Sequence, residues 1–194
     1  MGLDMYMERF PRIGGWTAKH YDQVTDVVFN SGIERREEGG VTAAYYTGLK
    51  KAIDFASQLD FVKTEDNKIL NEAIREVPIA NTTIFRFGEQ VGYWRKANSI
   101  HKWFVENVQN GVDDCEYYEV TRQHLGKLNS LVQQVLDDRN LAMKLLPPQS
   151  GFFFGSTDID EWYWSELEST LKIIVDTMES TDWDTQIVVY RASW

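Results

Sequence analysis

Strand signals stand near both ends of this sequence: residues 3–9 (LDMYMER) alternate apolar and polar side chains, and the final QIVVYRASW carries a β-branched run. Between them, apolar residues recur mostly at helical spacings of three and four. A chain patterned in this way has to pair distant strands and lay helices over them. The expected fold class is therefore α+β: a small mixed or antiparallel sheet packed against several helices, with residues 1–194 forming a single domain. At 194 residues the chain can bury roughly 70% of the surface its unfolded form exposes, so a core is attainable without covalent staples. That matters because Cys115 is the only cysteine and no internal disulfide is possible.

Pro11 with Gly14 and Gly15 ends the first strand, and residues 16–40 read as irregular or weakly helical. From Thr42, the residues Tyr46, Leu49, Ile53 and Ala56 mark a helix ending near Leu59. A second helix, capped by Thr64, carries Ile69, Leu70, Ala73 and Ile74 and stops before Pro78. Residues 82–87 (TTIFRF) are a strand closed by Gly88. Residues 89–109 read as one long helix whose apolar stripe is Tyr93, Ala97, Ile100, Phe104 and Val108, with Gly111 beyond its end. CEYYEV is a short strand. Thr121 then caps a helix lined by Leu125, Leu128, Val132 and Val135. After PPQSG, the residues FFF at 152–154 form a strand or apolar hook before a helix with Tyr163, Leu167, Leu171, Ile174 and Met178 on one side.

The formal charge of -10 is unevenly placed, since residues 111–194 hold 6 basic and 15 acidic groups. Such a surface repels a phosphate backbone, so direct nucleic-acid binding is not expected; a basic protein would be a compatible partner. No stretch of about 20 apolar residues offers a membrane span. With one cysteine and no signal h-region, the expected home is a cytoplasm.

The segment YWRKANSIHKWF brings together stacking surfaces (Trp94, Trp103), two cations (Arg95, Lys96), an amide (Asn98) and an imidazole (His101). These groups suit the grip of a base or a phosphorylated small molecule. They also suit a core tied by satisfied hydrogen bonds. On one continuous helix, Trp94, Asn98 and His101 would share an edge, with Lys96 and Trp103 on another.

A second cluster is the turn Gly155, Ser156, Thr157 and Asp158 before the last helix, which can present backbone N–H groups to an anion. No Walker lysine follows it. Its plainer reading is helix capping by Ser156, Thr157 or Asp158. Asp158, Asp160 and Glu161 have the oxygen chemistry for Mg²⁺, yet no cofactor, metal site or catalytic residue is assigned. His20, His101 and His124 lack zinc-ligand spacing, and Cys115 among Asp113, Asp114 and Glu116 sits where a thiolate is disfavoured.

The blocks MGLDMY, YWRKANSIHKWF with QNGVDDC, SGFFFGSTDIDEWYW and the terminal ASW cover about a third of the chain. They resemble a family of uncharacterised bacteriophage and prophage proteins. The resemblance implies a viral or prophage origin, hence the cytoplasm of a host cell, and implies no mechanism. The functional expectation is a non-enzymatic phage-type accessory protein. It would bind a small polar or nucleotide-like ligand through Trp94, Arg95, Lys96, Asn98, His101, Trp103 and Gly155–Asp158, and could act by sequestering a host signal. The alternatives are an acidic module that inhibits a host protein, and a metal-dependent hydrolase using Asp158, Asp160 and His101.

Overall fold

The structure, a computed structural model, describes residues 2–31, 33–38, 41–46, 48–79, 82–152 and 154–194. Residues 31, 33–38, 41–46, 79, 82 and 83 are described by backbone alone. The chain runs through β1 (Asp4–Pro11), α1 (Ala18–Ser31), β2 (Ile33–Glu38), β3 (Val41–Tyr46) and α2 (Leu49–Ala56). Then come a 3-10 turn (Thr64–Asp66), α3 (Asn67–Ala73), β4 (Ile74–Ile79), β5 (Thr82–Phe87) and β6 (Glu89–Arg95). The rest comprises α4 (Asn98–Asn107), β7 (Tyr118–Val120), α5 (Arg122–Asp137), a 3-10 turn (Arg139–Leu141), α6 (Ala142–Leu145), α7 (Glu161–Ser180) and β8 (Gln186–Ser193). The fold class is α+β. Contacts group the chain into two compact units, Met1–Arg9 with Gln90–Trp194, and Phe10–Glu89.

In the first unit a four-stranded sheet has the order β6-β1-β8-β7, so the strands from the two ends of the sequence are neighbours, as their patterning suggested. β7 and β8 pair antiparallel, Tyr118 opposite Tyr190. One face of β1 presents Leu3, Met5 and Met7, all fully buried, to a core completed by Ile100 and Phe104 of α4, Leu125, Leu128 and Val132 of α5, and Leu167 and Ile174 of α7. On the other face, Tyr6 lies 5.4 Å from Tyr93, and the Arg191 guanidinium stacks over both Tyr6 and Tyr117. α5 begins as expected at Thr121, whose hydroxyl accepts from the His124 N–H at 3.1 Å.

The expected helix over 89–109 is instead a strand, a sharp turn and a shorter helix. Val91, Tyr93 and the indole of Trp94 fit a pleated surface, and an edge place beside β1 supplies the hydrogen bonds that a helix would have made internally. Gly92 shows the close packing of this strand: a β-carbon there would stand 2.8 Å from Ile173 Cγ2. The strand ends at Lys96, which has φ 62, and α4 starts two residues later.

The last helix also differs in its cap. Ser156, Thr157 and Asp158 precede it by several residues. Ser156 and Asp158 bond to each other, with the Ser156 hydroxyl 3.0 Å from Asp158 Oδ2 and accepting from the Asp158 N–H. Asp160 is the cap, accepting from the N–H groups of Trp162 (3.0 Å) and Tyr163 (3.1 Å). Of the expected strand or apolar hook at 152–154, Phe154 is buried and Phe152 is 96% exposed, while Phe153 lies outside the described residues.

The second unit holds the hairpins β2–β3 and β4–β5, both antiparallel, with α1, α2 and α3. Its core is aromatic, with Phe10 5.2 Å from both Tyr21 and Phe87 and Trp16 edge-on to Phe61. The Tyr21 hydroxyl ties the entry to α1 by donating to the Pro11 carbonyl and accepting from the Ile13 N–H. Of the stretch 16–40 expected to be irregular or weakly helical, Ala18–Ser31 is the helix α1, with Tyr21, Val24 and Val28 as its buried stripe, and Ile33–Glu38 is the strand β2; Gly32, Gly39 and Gly40 lie outside the described residues. The helix expected from Thr42 is β3 followed by α2, with Gly48 at φ 31 between them. The helix expected to stop before Pro78 stops at Ala73, and Pro78 lies in β4, where a two-stranded ribbon leaves an edge that needs no proline N–H. Thr64 opens a 3-10 turn whose Asp66 carboxylate accepts from the Lys63 N–H.

Candidate functional site

In the first unit a cavity of about 700 Å³ opens between the β6–α4 junction, the loop around Gly155 and the first turns of α7. Its size is that of a small-molecule pocket. The two polar clusters singled out in the sequence, far apart in the chain, share this space: Trp94, Arg95, Lys96 and Asn98 line it on one side, and Gly155, Ser156 and Asp158 on the other. The remaining wall belongs mainly to α7, through Trp162, Tyr163, Ser165, Glu166 and Ser169.

Local backbone geometry explains how these groups converge. Alternation along β6 sends Trp94 inward, where its indole N–H donates to Thr170 Oγ1 at 2.9 Å, and leaves Tyr93 and Arg95 exposed. The left-handed conformation of Lys96 is uncommon for a residue with a side chain. It is fixed by the Lys96 N–H donating to the Leu3 carbonyl at 2.7 Å and the Lys96 carbonyl accepting from the Asn98 N–H at 2.8 Å. Gly155, with φ 88, runs alongside the lysine stem, and a β-carbon there would lie 3.3 Å from Lys96 Cβ and Cδ.

Asn98 is buried and fully employed. Its amide nitrogen donates to the carbonyls of Phe154 (3.0 Å) and Ser156 (2.8 Å), and its oxygen accepts from the Gln149 N–H (3.0 Å). It holds the 149–156 loop in place and has little left to offer a ligand. Three of the sequence-derived candidates lie away from the cavity lining. His101 is fully buried between the Tyr190 hydroxyl (2.8 Å from Nδ1) and Asp113 (3.0 Å from Nε2). Trp103 is packed in the core against Phe104, and Thr157 is exposed. The separation follows from the strand: with residues 89–95 extended, Trp94 and His101 no longer share a helical edge.

Glu166 was not singled out in the sequence, yet it has the most perturbed carboxyl of the cavity. Burial first, and the nearby charge of Asp160 second, push its pKa up to about 7. At neutral pH it is therefore divided between acid and carboxylate. The Tyr163 hydroxyl, pushed up to about 12 by burial, donates to the Leu146 carbonyl at 2.8 Å. A signal for this wall was present in the sequence: Trp162, Ser165, Glu166 and Ser169 stand at i, i+3, i+4 and i+7, a polar stripe beside the apolar one. Among the described residues, no group of three or more His, Cys, Asp and Glu side chains is arranged to hold a metal. The Cys115 thiol is pushed up, chiefly by burial, which works against a nucleophilic thiolate. No helix among the described residues is long and apolar enough to cross a membrane.

No protein-family model, curated protein or solved structure matches the chain.

Proposed function

We propose that this chain is a binding protein for a small polar or nucleotide-like ligand, held in the cavity between β6, the Gly155 loop and α7. The carrying observation is the convergence of cations, carboxyls, hydroxyls and aromatic faces from two sequence-distant segments, residues 93–98 and 148–169, around one volume of about 700 Å³. The reading is non-enzymatic in that His101, the base of the hydrolase alternative, lies outside the cavity with both ring nitrogens engaged in the core. Together with the phage-like sequence blocks, this suits an accessory protein that captures a small molecule in a host cytoplasm.

Native mass spectrometry of the full chain purified from an expressing cell, followed by denaturation, tests the reading. A bound small molecule that Lys96→Ala or Trp162→Leu removes is the expected result. A chain that carries none, and shows no thermal shift with a panel of nucleotides, sugars and amino acids, overturns it. Salt-sensitive binding to a basic protein in that case would point to the acidic surface as the working part.

A further inference from the structure

Resting on that reading, we propose that the cavity takes a nucleoside monophosphate, with its phosphate at Arg95 and Lys96, its base against the Trp162 indole and the hydrogen-bonding edge of the base toward Glu166. Many of the polar groups around the cavity are already committed to the protein itself. Asn98 has spent both its donors and its acceptor on the loop backbone. The Trp94 N–H is given to Thr170, the Tyr163 hydroxyl to Leu146 and the Tyr93 hydroxyl to Asp4. Asp160 caps α7, and Asp158 is engaged with Ser156.

What remains is a short and specific set. Neither Arg95 nor Lys96 forms a salt bridge or side-chain hydrogen bond among the described residues, although acids line the same cavity. The Glu166 carboxyl and the hydroxyls of Ser165 and Ser169 are likewise without hydrogen-bond partners among the described residues. Trp162 is 78% exposed on the cavity wall, a large apolar face left in water. Two adjacent cations ask for an anion. An exposed indole asks for a flat ring. A carboxyl divided between its two protonation states at neutral pH can accept from an exocyclic amine or donate to a ring nitrogen.

The number of phosphates follows from charge. Arg95 and Lys96 are the two cations of the lining, enough to pair with one phosphate dianion, while Asp158, Asp160 and Glu166 in the same lining add repulsion against any further phosphate. The lysine is also prepared for its role. Its stem lies beside Gly155, and a β-carbon at Gly2 would come within 3.5 Å of Lys96 Cε, so less side-chain freedom is lost on binding than at an ordinary surface lysine.

The test is titration calorimetry of the full chain, freed of any carried molecule, with the 5′-monophosphates of adenosine, guanosine, cytidine and uridine. The four matching nucleosides and triphosphates, and ribose 5-phosphate, serve as comparisons. At least one monophosphate should bind about tenfold more tightly than its nucleoside, ribose 5-phosphate or its triphosphate. Lys96→Ala should remove the preference over the nucleoside, and Trp162→Leu the preference over ribose 5-phosphate. Both residues are exposed, and unchanged melting of the variants establishes that they fold. If none of the four binds, or if ribose 5-phosphate binds as well as they do, the proposal is wrong. A different molecule released in the mass-spectrometry experiment would then leave the binding reading standing, whereas no carried molecule together with no thermal shift from the panel would end both.

Discussion

His101 Nδ1 and the Tyr190 hydroxyl lie 2.8 Å apart with both side chains fully buried, and Asp113 meets the other ring nitrogen at 3.0 Å. A neutral imidazole with its proton on Nε2 donates to Asp113 and accepts from Tyr190 at Nδ1, which satisfies both ring nitrogens. Asp113 also accepts from the Trp194 indole at 3.1 Å, and Tyr190 stacks on Phe104 with ring centroids 3.9 Å apart. The chain of bonds joins α4, the loop after it and β8 into one polar seam through the core. Tyr190→Phe keeps the ring and leaves Nδ1 without a donor, which should cost about 1–3 kcal/mol in urea denaturation. His101→Ala adds a void and should cost more, about 2–5 kcal/mol. Binding at the cavity by whatever Tyr190→Phe protein remains folded should be unchanged, which separates this seam from the site.

Asn98 makes the opposite prediction, because it touches the loop that forms one wall. Asn98→Ala breaks three hydrogen bonds to the backbone of residues 149–156, two of them from one amide nitrogen. A loss of about 2–4 kcal/mol is expected, together with faster amide exchange in that loop and weaker ligand binding. Asn98→Asp keeps an acceptor for Gln149 but offers no donors to Phe154 and Ser156, so it should rescue little. Exchange that stays slow in the loop of Asn98→Ala would show that other contacts hold it.

The legible parts of the fold were those where pattern and environment agree. The strands at the two ends, TTIFRF and the helices carrying Leu125 and Leu167 were readable, because each presents its apolar residues to the core of its own unit. Residues 89–109 misled because Tyr93, Ala97, Ile100 and Phe104 match a helical stripe, while only tertiary pairing with β1 decides that the first of them is extended. The same conflict hid the β3–α2 boundary, where helical spacing continues from Tyr46 to Leu49 across Gly48. For the site, proximity of the Trp94 and Gly155 clusters was inferred from chemistry alone. Glu166 was not, since a carboxyl on an amphipathic helix ordinarily marks the solvated side, whereas this one lines a cavity and is partly buried.

Asp160 has two roles that substitutions can part. Its carboxylate caps α7, and its charge helps raise Glu166. Asp160→Ala should lower stability by about 0.5–2 kcal/mol through loss of the cap. Asp160→Asn caps nearly as well, so most of that stability should return, while the charge beside Glu166 is gone. Carbon-detected NMR titration of the Glu166 carboxyl should then show a pKa below that of the parent protein but still above the ordinary value, because burial is the larger cause. An unmoved Glu166 in Asp160→Asn would mean that the two groups do not sense each other.

Glu166 itself ties stability to pH with a sign that differs from most carboxyls. Its folded value of about 7 exceeds the ordinary 4.5, so between these the folded state holds a proton that the unfolded chain releases. The contribution is therefore fully present below pH 4.5 and is lost as pH rises through 7, where the folded chain must bury part of a charge. Glu166→Gln removes that charge at every pH. Relative to the parent, the variant should gain on the order of 1–3 kcal/mol between pH 4 and pH 8, the range allowing for partial exposure of the side chain. Chemical denaturation of both proteins at the two pH values measures the difference directly. A gap between them that does not change with pH would mean that Glu166 is solvated as an ordinary carboxylate, and the cavity would then lack the neutral acid that lets it serve the edge of a base as donor as well as acceptor.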